Sequence, residues 1–293
     1  MTPLQSLLLG ALQGITEFLP ISSSGHLVLG EHFFSLDTSA LKSFDVAVHM
    51  GTLLAILIYF WKDVWQMLKT FFELLTGKTK FDNPYAKLIL YIVIGTIPAV
   101  IIGLLFEDWM DANFRNLKAV GTLMILVGIT FYFGEMFYQK NYGSNLKAVV
   151  QKAVKKLKDF FGCDEGKGEI QGLTLRKAVI IGCAQALALL PGVSRSGSTI
   201  VAGLFQGIER SSAARFSFLL GIPAIFGAGI LTFISGGSEI LESVSYQSLI
   251  IGFVSSFAFG MLSVALLMQF LKKFSLNVFA VYLMIVGIIT LIN

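Results

Sequence analysis

Two short stretches of this sequence hold residues whose types and spacing could do chemistry. The first is EFLPISSSGH, residues 17–26, which breaks an apolar run and follows Gln13, four positions before Glu17 and so on the same helical face. The second is PGVSRSGST, residues 191–199, which places Ser194, Arg195, Ser196, Gly197 and Thr199 inside another apolar run. Glu17 with Gln13 could hold a divalent cation through oxygen ligands, with waters and phosphate completing the set. Arg195 offers a planar fork suited to phosphate oxygens, and hydroxyls with backbone N–H groups at a helix start make an anion cradle. His26 can move a proton near neutral pH. With the hydroxyls of Ser22, Ser23 and Ser24, these are the parts of a phosphoryl-transfer site.

The plainer readings are structural. Glu17 and Arg195 could form a buried ion pair, but that alone leaves the serine and glycine clusters without a purpose. His26 could cap or hydrogen-bond locally, and single serines in such places are most often helix caps or interhelical bonds. Only the pairing of the two breaks raises them together. His32 reads as interfacial, as does Glu135 near the inner end of its span, while Asp45 and His49, at the mouth of and inside the first full span, are candidates to touch the site. Arg210 and Arg215 read as anchors on the inner side.

The surroundings are membrane. Of 293 residues, 55% are hydrophobic and 14% charged, and the mean hydropathy is +0.77; a soluble domain carries roughly 25% charged residues. The 26 Phe and 29 Gly suit helices that meet lipid on one side and pack closely on the other. The first apolar run has no Lys or Arg before it, so it is expected to stay in the mature protein rather than act as a cleaved signal. Cys163 and Cys183 give neither metal spacing nor a disulfide framework and read as free thiols.

Runs long enough to span lie at about 44–61, 88–106, 119–138, 213–234, 248–270 and 275–292. The stretches at about 5–34 and 178–208 are broken by Pro, Gly and Ser, and each half is too short to cross. Five lysines in 62–87 and nine Lys or Arg in 139–177 place those loops in the cytoplasm, and 107–118 and 235–247 outside. The basic residues therefore report orientation rather than a nucleic-acid partner. Within 144–161 they alternate with Leu, Val and Phe, the pattern of a basic amphipathic helix on the membrane surface or of a solvated loop helix that only sets topology.

With the loops fixed, the spans at 44–61 and 213–234 run in opposite directions, and each broken stretch becomes a re-entrant hairpin. The expected fold is all-α: one membrane domain over 1–293, with six transmembrane helices and two re-entrant helical hairpins in an inverted-topology repeat. Repeat 1 covers about 1–138, a basic cytoplasmic insertion 139–177, and repeat 2 about 178–293. Sliding residues 10–25 by 172 positions matches Gly10 to Gly182, Gln13 to Gln185, Ser22 to Ser194, Ser24 to Ser196 and Gly25 to Gly197. Inverted repeats of this kind bring their broken helices together near the midplane around a site.

Gln13-x-x-x-Glu17 with FLPISSSGH, and the distal PGVSRSGST, resemble the two signature regions of the bacterial undecaprenyl-diphosphatase family, and the likeness extends to KSFDVAVHMGTLLA (42–55) and ARFSFLLGIPA (214–224). The resemblance implies removal of the terminal phosphate of undecaprenyl diphosphate in the bacterial inner membrane, with a divalent cation, Mg²⁺ or Ca²⁺, and a site open to the outer face. The partners it implies are a polyprenyl diphosphate and membrane lipids, with a homodimer left open. It casts Glu17 as metal or catalytic carboxylate, His26 as acid–base group, Ser23 as nucleophile or phosphate ligand, and Arg195 with Ser194, Ser196 and Thr199 as the diphosphate clamp, with Ser22, Ser24 and Gly197 also toward substrate. Gln13 stands where the family more commonly has glutamate, so it is cast as a neutral metal or water ligand. The runner-up is a polyprenyl-phosphate flippase or other transporter using the same two hairpins.

Overall fold

The structure is a computed structural model that describes residues 1–36, 41–143, 170–236 and 244–292. The basic stretch at 144–161 and Cys163 lie outside those residues. Among the described residues all regular structure is helical: α1 Pro3–Phe18, α2 Ser23–Phe33, α3 Lys42–Tyr59, α4 Trp61–Leu75, α5 Pro84–Phe114, α6 Leu117–Tyr142, α7 Leu175–Leu187, α8 Arg195–Phe205, α9 Arg210–Gly236, α10 Tyr246–Leu271 and α11 Asn277–Ile292.

Local chemistry sets many of these boundaries. Thr2 and Gln5 close a capping box on α1, Thr2 N–H donating to Gln5 Oε1 at 2.7 Å and Gln5 N–H to Thr2 Oγ1 at 3.2 Å. Asn116, Thr174 and Ser245 cap α6, α7 and α10 by accepting from the third residue of each helix.

Five helices are long and apolar enough to cross a membrane: Lys42–Tyr59, Pro84–Phe106, Leu117–Tyr142, Arg210–Thr232 and Tyr246–Leu271. They coincide with the first five expected spans, and the outward faces of these helices carry residues such as Val93, Ile97, Leu104, Leu126, Val254 and Leu262, all exposed. The sixth, α11, is a shorter apolar helix. The broken stretches form α1 with α2 and α7 with α8, helices of 16, 11, 13 and 11 residues.

Four helix pairs hold the bundle together: α1 along α10, α6 along α11, α3 along α10, and α5 along α7. Each rests on backbone approach at glycine. A Cβ on Gly10 would lie 2.5 Å from the Gly252 carbonyl oxygen, and one on Gly182 would lie 2.8 Å from the Gly95 carbonyl carbon. Gly121 and Gly287 face each other, so that a Cβ on either would come within 2.9 Å of the other's carbonyl oxygen. Hydroxyls tighten the first pair, Ser255 donating to Leu7 O and Ser263 to Ile15 O, each at 2.8 Å.

Two features depart from the expectations. The loop at 62–87 contains a 15-residue helix, α4, of which only Thr70 is buried. Glu135 is not interfacial: it is fully buried, paired with Arg210, and accepts from Gln139 at 2.9 Å and from the Leu276 backbone N–H at 3.3 Å. The anchors Arg210 and Arg215 are thus both partnered, the second with Asp63 at 2.5 Å.

Candidate active site

The two hairpin turns meet. Ser196, in the first turn of α8, donates to the carbonyl of Leu19 at 3.2 Å, and a Cβ on Gly197 would lie 3.0 Å from Pro20 Cβ and run into the Phe131 ring. That contact carries Arg195 to Glu17, whose Oε1 accepts from Arg195 Nη2 at 2.5 Å. The other carboxylate oxygen, Oε2, accepts from Ser23 Oγ at 2.6 Å and from Gln13 Nε2 at 2.9 Å. Glu17 is 5% exposed, so its charge sits in a dry environment with an arginine, a hydroxyl and an amide as partners.

The turn before α2 explains how Ser23 comes to point there. Ser22 has φ 70°, an unusual backbone for a residue with a side chain, and such strain persists only where neighbours fix it. Its hydroxyl caps α2 by accepting from Gly25 N–H at 3.3 Å, and its carbonyl accepts from His26 N–H at 3.1 Å and from His26 Nδ1 at 2.8 Å. With Nδ1 donating, His26 Nε2 accepts from the hydroxyl of Tyr282 at 2.8 Å, and the two rings stack at 5.6 Å. Both nitrogens of His26 are therefore engaged away from Glu17.

The ring beside Glu17 is His49. Its Nε2 stands 3.8 Å from Glu17 Oε2, and Nδ1 donates to the Asp45 carbonyl at 2.7 Å. The Asp45 side chain turns instead to Arg115, which also stands 3.7 Å from the buried Glu31. His32 is exposed at the end of α2.

The remaining hydroxyls fasten the second hairpin. Ser194 caps α8, accepting from Gly197 N–H at 3.1 Å, and Thr199 bonds to the Arg195 carbonyl at 2.8 Å and to Ser217 Oγ at 2.6 Å. All of Ser22, Ser194, Ser196 and Thr199 are buried, whereas Ser23, Ser24 and Arg195 are partly open. Two buried polar atoms at the site have no partner, Arg195 Nη1 and Gln13 Oε1. Among the described residues no group of three His, Cys, Asp or Glu is placed to hold a metal ion.

Comparison with known proteins adds a family model, "Bacitracin resistance protein BacA", matching residues 6–289. The chain is 40% identical over 288 residues to "Undecaprenyl-diphosphatase 4" of Bacillus cereus, covering 98% of this chain and 96% of that protein. It is 38% identical over 298 residues to "Undecaprenyl-diphosphatase" of Methanosphaera stadtmanae, covering 99% and 97%. To the protein of that name from Halothermothrix orenii it is 40% identical over 284 residues, covering 97% and 95%.

Proposed function

Because the chain belongs to the bacitracin resistance protein BacA family, we propose that it hydrolyses undecaprenyl diphosphate to undecaprenyl phosphate and inorganic phosphate, recycling a lipid carrier for cell-wall synthesis. It is a multi-pass membrane enzyme, a phosphoric anhydride hydrolase acting on a lipid. The observation that carries the chemistry is one carboxylate, Glu17, joined at 2.5 Å to Arg195 from the other hairpin and at 2.6 Å to Ser23. The alternative, a carrier that only moves lipid, is disfavoured because the relatives are named for a diphosphatase activity.

In this reading Ser23 Oγ attacks the terminal phosphorus and passes its proton to Glu17 Oε2. The bond from that phosphorus to the bridging oxygen breaks, undecaprenyl phosphate leaves, and water then transfers the phosphoryl group from the serine to give inorganic phosphate. Arg195 keeps Nη2 on Glu17 and offers Nη1, buried and unpartnered, to the phosphate oxygens. The first N–H groups of α2 and α8 add to the cradle. Gln13 Oε1 and the Glu17 carboxylate would hold a divalent cation, Mg²⁺ or Ca²⁺, which neutralises phosphate charge when bound. His49 is the ring placed to exchange protons here, and His26 holds the Ser22 turn that presents Ser23. Ser22, Ser194, Ser196 and Thr199 serve this site by fixing the two turns.

The fold reading that goes with this is six spans and two re-entrant hairpins in an inverted repeat over about 1–138 and 178–293. Its support is the exchange of partners between halves: α1 of the first packs on α10 of the second, and α7 of the second on α5 of the first. The matched residues Gly10 and Gly182 are each a point of backbone contact in their pair. The charged loops support an orientation with 62–87 and 139–177 in the cytoplasm, and the reading places the protein in the cytoplasmic membrane of a bacterium with its site open to the outer face.

The test is phosphate release from a C55 diphosphate by purified protein in detergent, with and without EDTA, for the wild type, Ser23→Ala and Ser24→Ala. EDTA and Ser23→Ala should each abolish release, while Ser24→Ala loses at most one hydrogen bond to a charged group, about 1.5–3 kcal/mol or roughly 10- to 150-fold. If Ser23→Ala falls no further than Ser24→Ala, water activated at Glu17 is the nucleophile.

A further inference from the structure

The helix α4 has three distinct faces. Asp63, Met67 and Thr70 turn toward the bundle: Asp63 pairs with Arg215 of α9 at 2.5 Å and accepts from the Tyr85 hydroxyl of α5 at 3.3 Å, and Thr70 is buried. Lys62, Gln66, Lys69 and Glu73 form a polar stripe, and Lys69 stands 3.8 Å from Glu73. Trp61, Trp65, Leu68, Phe72 and Leu75, at spacings of four and three, form an apolar stripe whose members are 49% to 69% exposed.

We propose that this stripe lies in the bilayer interface, making α4 an in-plane helix whose partner is the anionic lipid surface of the inner leaflet. The depth is fixed by the fold. A single residue, Phe60, separates α4 from the span α3, and both groups that tie Asp63 lie near the starts of neighbouring spans, Tyr85 in the first turn of α5 and Arg215 in the second turn of α9. The helix therefore starts where three spans leave the hydrocarbon, and its outward face meets what surrounds the bundle at that level. The composition fits that layer, two tryptophans at the boundary and basic side chains beside them, with Lys78 and Lys80 also exposed just beyond. Such a helix buries its apolar face about 5–10 Å into the headgroup boundary. The leaflet rests on the topology proposed above, whereas the contact with lipid does not.

The chain has three tryptophans, so Trp109→Phe leaves Trp61 and Trp65 as the only tryptophans when indole emission is excited selectively over tyrosine. That variant, reconstituted in bilayers, should lose most of its emission to phosphatidylcholine brominated near the carbonyl end of its acyl chains, and little to aqueous iodide. Brominated phosphatidylglycerol at the same mole fraction should quench more, by roughly twofold, and Lys62→Gln with Lys69→Gln should erase the difference. Quenching by iodide and not by lipid would show a face open to water or to a soluble protein, and protection from both would show a second copy covering it; either overturns the proposal. Equal quenching by the two lipids overturns the anionic preference. Impermeant thiol labelling at Lys78→Cys in intact cells would move the helix to the outer leaflet while leaving the lipid contact standing.

Discussion

Gly221 lies on α9, opposite the Arg195 guanidinium. A Cβ at this position would collide with Nη1 and lie 2.8 Å from Cζ, so Gly221→Ala must push the end of the arginine aside. What gives way is the flexible tip of a side chain rather than backbone, and alanine suits a helix better than glycine by about 1 kcal/mol, so the fold should hold. The displaced guanidinium cannot keep Nη2 at 2.5 Å from Glu17 and Nη1 on the phosphate together. Losing one such bond costs about 1.5–3 kcal/mol, which is roughly 10- to 150-fold in kcat if the bond is made in the transition state. The assay is phosphate release from a C55 diphosphate, with a thermal melt to show that the protein remains folded. The double variant Gly221→Ala with Arg195→Ala should be no slower than Arg195→Ala alone, since the alanine acts only through the arginine. Wild-type turnover in Gly221→Ala, or losses that multiply in the double variant, would refute the reasoning.

Arg195→Lys should be nearly as slow as Arg195→Ala, because one ammonium cannot span Glu17 and a phosphate as a planar fork does; near-normal turnover would show that charge alone suffices. Tyr282→Phe removes one neutral hydrogen bond, worth about 1 kcal/mol or roughly fivefold, and His26→Gln should lower kcat without changing the shape of its pH profile. Loss of one limb of that profile in His26→Gln would make His26 the acid–base group after all. In a cysteine-free background, Asn113→Cys should label from outside intact cells and Lys78→Cys should not, and the reverse pattern would invert the topology.

The parts of the site were readable because membrane segments seldom carry Pro, Ser and charge together, so EFLPISSSGH and PGVSRSGST stand out against the runs around them. Their assembly was less so. His49 sits on a face of α3 that any apolar helix could bury in several ways, and only packing against α1 brings its ring to Glu17. The pairs Arg210–Glu135 and Arg215–Asp63 join residues 75 and 152 positions apart, a distance over which no local pattern operates. The strut from Tyr282 to His26 crosses 256 positions and turned a histidine that reads as an acid–base group toward the far side of its own turn. In α4 the mixture of lysines and aromatics reads as loop by composition, because its buried, polar and exposed apolar faces interleave along the sequence.

The bond between Glu17 and Arg195 joins residues 178 positions apart, one from each half of the chain. A nascent chain that has inserted only its first hairpin holds a carboxylate with no cation to meet it, and an unpaired charge in so dry a place costs about 3–5 kcal/mol. The first hairpin can therefore settle into its final seat only once the second has been made, and α1 waits likewise for α10, its packing partner from near the C-terminus. Early segments must remain wet or loosely held until late ones arrive. With Arg195 in the role proposed for it, a product truncated anywhere before α8 should turn nothing over, and two halves supplied as separate polypeptides should regain activity only by docking across the same ion pair.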